Sequence, residues 1–193
     1  MGNQWFTSDL HLGHRFVAGL RGFDDPDEHD EVILGNLRDA LRPGDVLWCL
    51  GDLAVSSPRR ALDLLGELFD DTGVTAHLIA GNHDPCHPMH RKGYQHQKEY
   101  LEIFDSVQPY QRTEWSGHEV WLSHFPRPGF DHHGVESRHD NLRLDVPWLV
   151  HGHLHSASPV TGPGMVDVGL DAWDLRPVDQ AMVRTTLFGS VGD

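Results

Sequence analysis

Three times within the first 84 residues, an apolar segment of strand length runs directly into a short polar cluster, with a helical signal between one such unit and the next. Gln4 to Ser8 leads into Asp9-Leu10-His11, Val46 to Leu50 into Gly51-Asp52, and Ala76 to Ala80 into Gly81-Asn82-His83-Asp84. Between the first two, Asp25-Pro26 supplies an N-cap and a proline at the first helical position. Val32, Ile33, Leu37, Ala40 and Leu41 then recur at helical spacing until Pro43-Gly44. Ser57-Pro58 repeats the opening, Ala61, Leu62, Leu65, Leu68 and Phe69 form the stripe, and Gly73 stops it. A βαβαβ order predicts parallel strands joined by right-handed crossovers. The second strand is apolar throughout, as a strand buried on both faces must be.

The second half changes character. Glu119 to Ser123, Trp148 to Val150, Met165 to Leu170 and Ala181 to Phe188 read as strands, and Gln95 to Phe104 as a helix. Strand-rich sequence after βαβαβ predicts a second sheet packed on the first, with helices outside. The polar stretch from Pro126 to Pro147 has the length of a functional loop. With 193 residues and no repeat or linker, the chain is expected to be one domain spanning 1–193.

The polar clusters are of one chemical kind. Two more follow later strands, Ser123-His124 and His151-Gly152-His153-Leu154-His155. Ligands of α/β sheets bind beyond the carboxyl ends of the strands, so clusters distant in sequence can converge there. Residues two apart in extended chain point to one side, so Asp9 with His11, or His153 with His155, can share a centre. Sixteen histidines beside 29 acidic and 15 basic residues make metal chemistry the first reading of that convergence.

Taken together, Asp9-x-His11, Gly51-Asp52, Gly81-Asn82-His83-Asp84, His124 and Gly152-His153-x-His155 resemble the motif series of the calcineurin-like metallophosphoesterases. The opening Trp5 to His14 and the closing Asp167 to Trp173 resemble a compact bacterial and phage branch of that superfamily. The resemblance implies a two-sheet α/β/β/α sandwich of the metallophosphoesterase type. It also implies a dinuclear centre, with Asp9, His11 and His155 on one metal, Asn82, His124 and His153 on the second, and Asp52 bridging. His151 stays outside the ligand set. Mixed imidazole, carboxylate and amide donors without thiolate suit two divalent transition-metal ions, Mn²⁺ foremost and Fe, Ni, Co or Zn as others, rather than copper or pure Mg/Ca sites. The implied reaction is hydrolysis of a phosphoester by a hydroxide held between the metals, with His83 as general acid and Asp84 orienting its other ring nitrogen.

The substrate expected is a small phosphodiester, with 2′,3′-cyclic nucleotides foremost. Protein phosphatases of the superfamily place an arginine just after Gly-Asp to meet a monoester dianion. Here Leu53-Ala54-Val55-Ser56 and Pro85-Cys86-His87 follow the two motifs. Only Arg127, Arg138 or Arg143 of the long loop can restore that clamp. A phosphomonoesterase or nucleotidase, and a catalytically silent scaffold, are the alternatives. A net charge of -14 argues against stable duplex binding and against a DNA-processing nuclease. Two cysteines suit a reducing compartment, no apolar run reaches the roughly 18 residues of a membrane span, and Met1 to Phe6 lacks the features of a signal peptide, so a cytoplasmic protein is expected. Cys49 reads as a small core residue, His14 as a residue lining the site without a ligand role, and Trp173 as the one tryptophan with a place near the site. His87, His90, His96, His118, His132, His133 and His139 read as solvated, with one or two of the loop histidines within reach of substrate.

Overall fold

Alternation along the second strand sets the layers of the molecule. In the computed structural model, which describes residues 2–132 and 134–189, β1 (Gln4–Thr7), β2 (Val46–Cys49) and β3 (Thr75–Ile79) lie side by side and parallel. Leu47 and Cys49 of β2 face α2 (Pro26–Ala40) and α3 (Pro58–Thr72), which follow the short α1 (Arg15–Leu20). They pack there with Ile33, Leu37, Leu62 and Leu65. Trp48 and Leu50 point the other way, into a core shared with a second sheet. The continuous apolar run is thus buried on both faces.

The first sheet has the order β10-β1-β2-β3-β4. β4 (Ser106–Gln108), reached through α4 (Gly93–Leu101), continues the parallel set, and β10 (Val178–Asp179) pairs antiparallel with β1. The second sheet has the order β5-β6-β7-β9-β8. It comprises β5 (Tyr110–Trp115), β6 (His118–Ser123), β7 (Leu149–His151), β8 (Val160–Gly162) and β9 (Met165–Asp167). β6, β7 and β9 are parallel, flanked by antiparallel β5 and β8. Phe6, Leu50 and Ile79 from one sheet and Val120, Leu122, Val150 and Val166 from the other close the core between them. The architecture is an α/β sandwich of two mixed sheets. Among the described residues no helix is long and apolar enough to cross a membrane.

Two expectations need correction. Ala181 to Phe188 is not a strand but most of α5 (Gln180–Phe188). The buried pair Val183 and Leu187 is four apart, a spacing that satisfies a helix and an alternating strand alike. The cap decides between them: the Asp179 carboxylate accepts from the Met182 N–H at 2.9 Å. The Thr185 and Thr186 hydroxyls then donate to carbonyls one turn back. Ser57 precedes α3 as expected but offers no capping bond, its backbone being left-handed at φ 63°.

Candidate metal centre

The five polar clusters do converge, and the backbone that presents them is unusual. Asp9, His11, Asp52, His153 and His155 all have positive φ, between 48° and 75°. Non-glycine residues seldom adopt that region, and such strain concentrates at functional sites. These residues therefore leave their strands in tight turns, not in extended chain. The expected sharing through two-residue alternation fails for His153 and His155, which join different groups. Gly51 permits the close approach of neighbouring turns: a Cβ there would collide with the Gly81 backbone, and Gly51 itself has φ 93°.

The first group is Asp9, His11 and His155. The Nε2 atoms of the two histidines face each other at 3.1 Å, and Asp9 Oδ1 lies 3.8 Å from each. His155 Nδ1 is 2.9 Å from an oxygen of Asp171. An ionised carboxylate only accepts, so Nδ1 carries a proton and the ring is held with Nε2 turned to the group. Arg21 in turn grips Asp171 with Nε and Nη2 at 2.9 and 2.7 Å, and donates to the Asp9 carbonyl at 2.8 Å. This is the outer partner that metal-binding histidines characteristically have. Burial lowers the His155 pKa, but the Asp171 hydrogen bond and the Asp9 carboxylate outweigh it and leave it raised. Burial lowers His11 well below its ordinary value.

The second group is Asp52, His124 and His153. His124 Nδ1 donates to the Leu50 carbonyl at 2.7 Å, which leaves Nε2 to face Asn82 Oδ1 at 3.1 Å and Asp52 Oδ2 at 3.4 Å. Burial pulls the His124 pKa down, and the Asp52 carboxylate, helped by Asp9 and the Leu50 carbonyl, carries it up to about 10. Asp52 Oδ2 also lies 3.9 Å from His11 Nε2, so this carboxylate stands between the groups. Asp9 Oδ1 and His153 Nε2 are buried without any hydrogen-bond partner. Buried acceptor atoms left without a partner are what a cation would satisfy. The residues present fit metal binding.

Three other sequence candidates find different surroundings. His83 is exposed, its ring 5.7 Å from that of His11, and its backbone N–H donates to Asp52 Oδ1 at 2.8 Å. Asp84 does not orient the His83 ring, which corrects the expectation. Its buried oxygens are spent on the N–H groups of Gly81, Asp52 and Leu53, at 2.7, 2.9 and 3.1 Å. Burial and the Asp52 carboxylate push the Asp84 carboxyl up to about 7. His151 is satisfied away from the groups by the Gly152 carbonyl and Thr161, both at 2.7 Å. Cys49 is buried in the core as expected, and the His14 ring stands 5.8 Å from that of His11. His87, expected in solvent, is buried, its Nδ1 accepting from the Met89 N–H at 2.9 Å. His133 lies outside the described residues.

The long loop brings in a residue that sequence reading missed. Asp131 Oδ1 lies 2.8 Å from His132 Nδ1 and 3.5 Å from His153 Nε2, so the three form a further potential ligand group. Its second oxygen pairs with Arg143 at 2.7 Å, and neither side chain is exposed. His132 stands beside both His153 and His155, with ring centroids 5.2 and 6.3 Å away. Arg143 is therefore committed to Asp131, and Arg127 to the carbonyls of Val146 and Pro163. Asp131→Ala should lower stability by about 1–3 kcal/mol, because the buried Arg143 guanidinium loses its shortest carboxylate contact and keeps Asp140 and the carbonyls of Phe130 and Arg138. Thermal unfolding measures this, and an unchanged melting temperature would mean that the pair adds nothing in solution.

No protein-family model matches the chain. Over 191 residues it is 40% identical to the Gene 66 protein of Mycobacterium phage D29, covering 93% of this chain and 94% of that one. It is 37% identical over 186 residues to the Gene 66 protein of Mycobacterium phage L5, covering 90% and 88%. Among solved structures, a protein of unknown function from Aquifex aeolicus, AQ665, matches with a TM-score of 0.72 at 23% identity. That match covers 96% of this chain and all of the other, so the fold is shared along its length.

Proposed function

We propose that this chain, which belongs to the family of the Gene 66 proteins of mycobacterial phages D29 and L5, is a dinuclear metal-dependent phosphoesterase that prefers diesters. The observation that carries the reading is the convergence of buried acceptor atoms, set on left-handed backbone at the ends of strands from both sheets.

In this reading Asp9, His11 and His155 hold one ion, Asn82, His124 and His153 the other, and Asp52 serves both. Such ions would lower the pKa of water toward neutrality and polarise the phosphoryl oxygens. Arg21 and Asp171 fix the ring of His155, and the Leu50 carbonyl fixes that of His124, so each ring is held with Nε2 turned to the centre. His83, exposed at the mouth, hands its proton to the leaving oxygen.

Diesters are favoured on charge. A monoester carries nearly two negative charges near neutral pH, and no arginine follows Gly51-Asp52 or Gly81-Asn82-His83-Asp84. Two of the three loop arginines offer no substitute, since Arg143 and Arg127 are engaged elsewhere, and Asp131 adds a carboxylate beside His153. A 2′,3′-cyclic nucleotide has one charge and a strained ring, which suits an open site. The test is a hydrolysis panel of monoesters, linear diesters and cyclic nucleotides, using metal-stripped protein refilled with each of Mn, Fe, Ni, Co and Zn. Higher kcat/KM for a 2′,3′-cyclic nucleotide than for the matching monophosphate is expected, with Mn²⁺ restoring most activity. The reverse preference would make the protein a phosphomonoesterase.

A further inference from the structure

A cavity of about 350 Å³ opens beside His83, walled by Asn82, His83, Pro85, His90, Lys92 and His96. Its volume is at the lower end of the range for small-ligand sites. Its position matters more. In the phosphoesterase reading Asn82 is a metal ligand and His83 the proton donor, so a cavity that both line is on the leaving-group side.

Its charge is also set apart from the rest of the chain. The sequence has two lysines in all, Lys92 and Lys98, and both fall in a stretch from Pro85 to Lys98 that contains Arg91 and no acidic residue. Elsewhere 29 acidic residues give the chain its net charge of -14. Among the described residues, Arg91, Lys92 and Lys98 form no ion pair with a carboxylate, and Lys92 is exposed where it lines the cavity. The histidines are held in place by their surroundings. His90 Nε2 donates to the Asn82 carbonyl at 3.0 Å, and His96 Nδ1 lies 2.7 Å from Glu99, which leaves Nε2 of His96 uncommitted. An unpaired ammonium within an otherwise acidic protein concentrates anions locally.

We infer that this cavity receives the leaving-group half of the substrate, and that Lys92 with His96 recognises a second phosphate carried there. The inference rests on the phosphoesterase reading above and names its substrate class: a nucleotide bearing a phosphate besides the one being cleaved. For a 2′,3′-cyclic nucleotide the second phosphate is on the 5′ oxygen of the same ribose. Water oxygen joins the cyclic phosphorus keeping one hydrogen, one ring P–O bond breaks, and the leaving ribose oxygen takes the proton from His83. The proton that the water sheds returns to His83 by way of solvent. The 5′-phosphate is bound and unchanged.

Three substrates test this with metal-refilled protein: adenosine 2′,3′-cyclic phosphate, the same compound with a 5′-phosphate, and bis(4-nitrophenyl) phosphate, which has no second anion. The 5′-phosphate should raise kcat/KM on the order of tenfold, mainly through KM, as a hydrogen bond to a charged group does. Lys92→Ala should abolish that gain and Lys92→Arg should keep it, each read as the ratio of kcat/KM with and without the 5′-phosphate within the same variant. Hydrolysis without any gain from the 5′-phosphate, or a gain that survives Lys92→Glu, overturns the phosphate subsite and leaves the phosphoesterase reading standing. Absence of turnover with all three substrates overturns both.

Discussion

Asp52→Ala is expected to lower divalent-metal affinity by more than about a hundredfold, and turnover with it. The bound comes from comparison with an outer partner: changing a group that only orients a ligand typically costs 10–100-fold. Asp171, which acts through His155, belongs to that class. Asp52 belongs to another, because one of its oxygens is near ligand candidates of both groups, 3.4 Å from His124 Nε2 and 3.9 Å from His11 Nε2. Its other oxygen accepts the His83 N–H at 2.8 Å, so the alanine variant also frees the turn that carries His83. Asp52→Asn separates the two effects, since an amide oxygen can still accept that N–H but no longer offers a charge. Calorimetric titration with Mn²⁺ and steady-state hydrolysis read the outcome. Asp171→Asn should fall between wild type and Asp52→Ala. If Asp52→Ala kept wild-type metal content and turnover, the shared-ligand assignment would be wrong.

How far the sequence disclosed this site depends on the scale considered. The βαβαβ half was legible because its strands are apolar runs closed by turn residues, and its helices carry stripes that fit the helical period. β5 was not, since Tyr110, Arg112 and Glu114 face solvent on an edge strand and leave no apolar run to find. The identities of the clustered Asp and His residues were readable, but their left-handed conformations were not, because nothing in Asp-x-His distinguishes a turn from extended chain. Asp84 was assigned to its sequence neighbour. The three backbone N–H groups that occupy it come from two different turns, a contact that adjacency does not reveal. Asp131 gave no signal. Its partners, Arg143 and His153, lie 12 and 22 residues away, and only the folded loop puts them together. Asp171 stood within the motif read near the chain's end, yet its grip on His155 and Arg21 needed the turn after β9 to be seen.

His83→Ala should leave metal binding intact and cut hydrolysis unequally across substrates. The group that ties residue 83 to the centre is its backbone N–H, which alanine retains, so Asp52 keeps its hydrogen bond and the ligand groups their geometry. What is lost is an exposed ring on the wall of the leaving-group cavity. A general acid typically contributes 10²–10⁴-fold, and it does so in proportion to how badly the leaving oxygen needs a proton. A ribose or alkyl oxygen needs it most, so cyclic nucleotides should lose activity over that range. A 4-nitrophenolate departs nearly unaided, so the aryl diester should lose far less. Equal losses on both would reduce His83 to a positioning residue. Asp84→Asn supplies the contrast, because its carboxylate holds the turns of Gly81 and Asp52 and never reaches the His83 ring. That variant should lower the melting temperature while leaving the ratio of ribose to aryl turnover where it is in wild type. A ratio shifted by Asp84→Asn as far as by His83→Ala would mean that the ring depends on Asp84 after all.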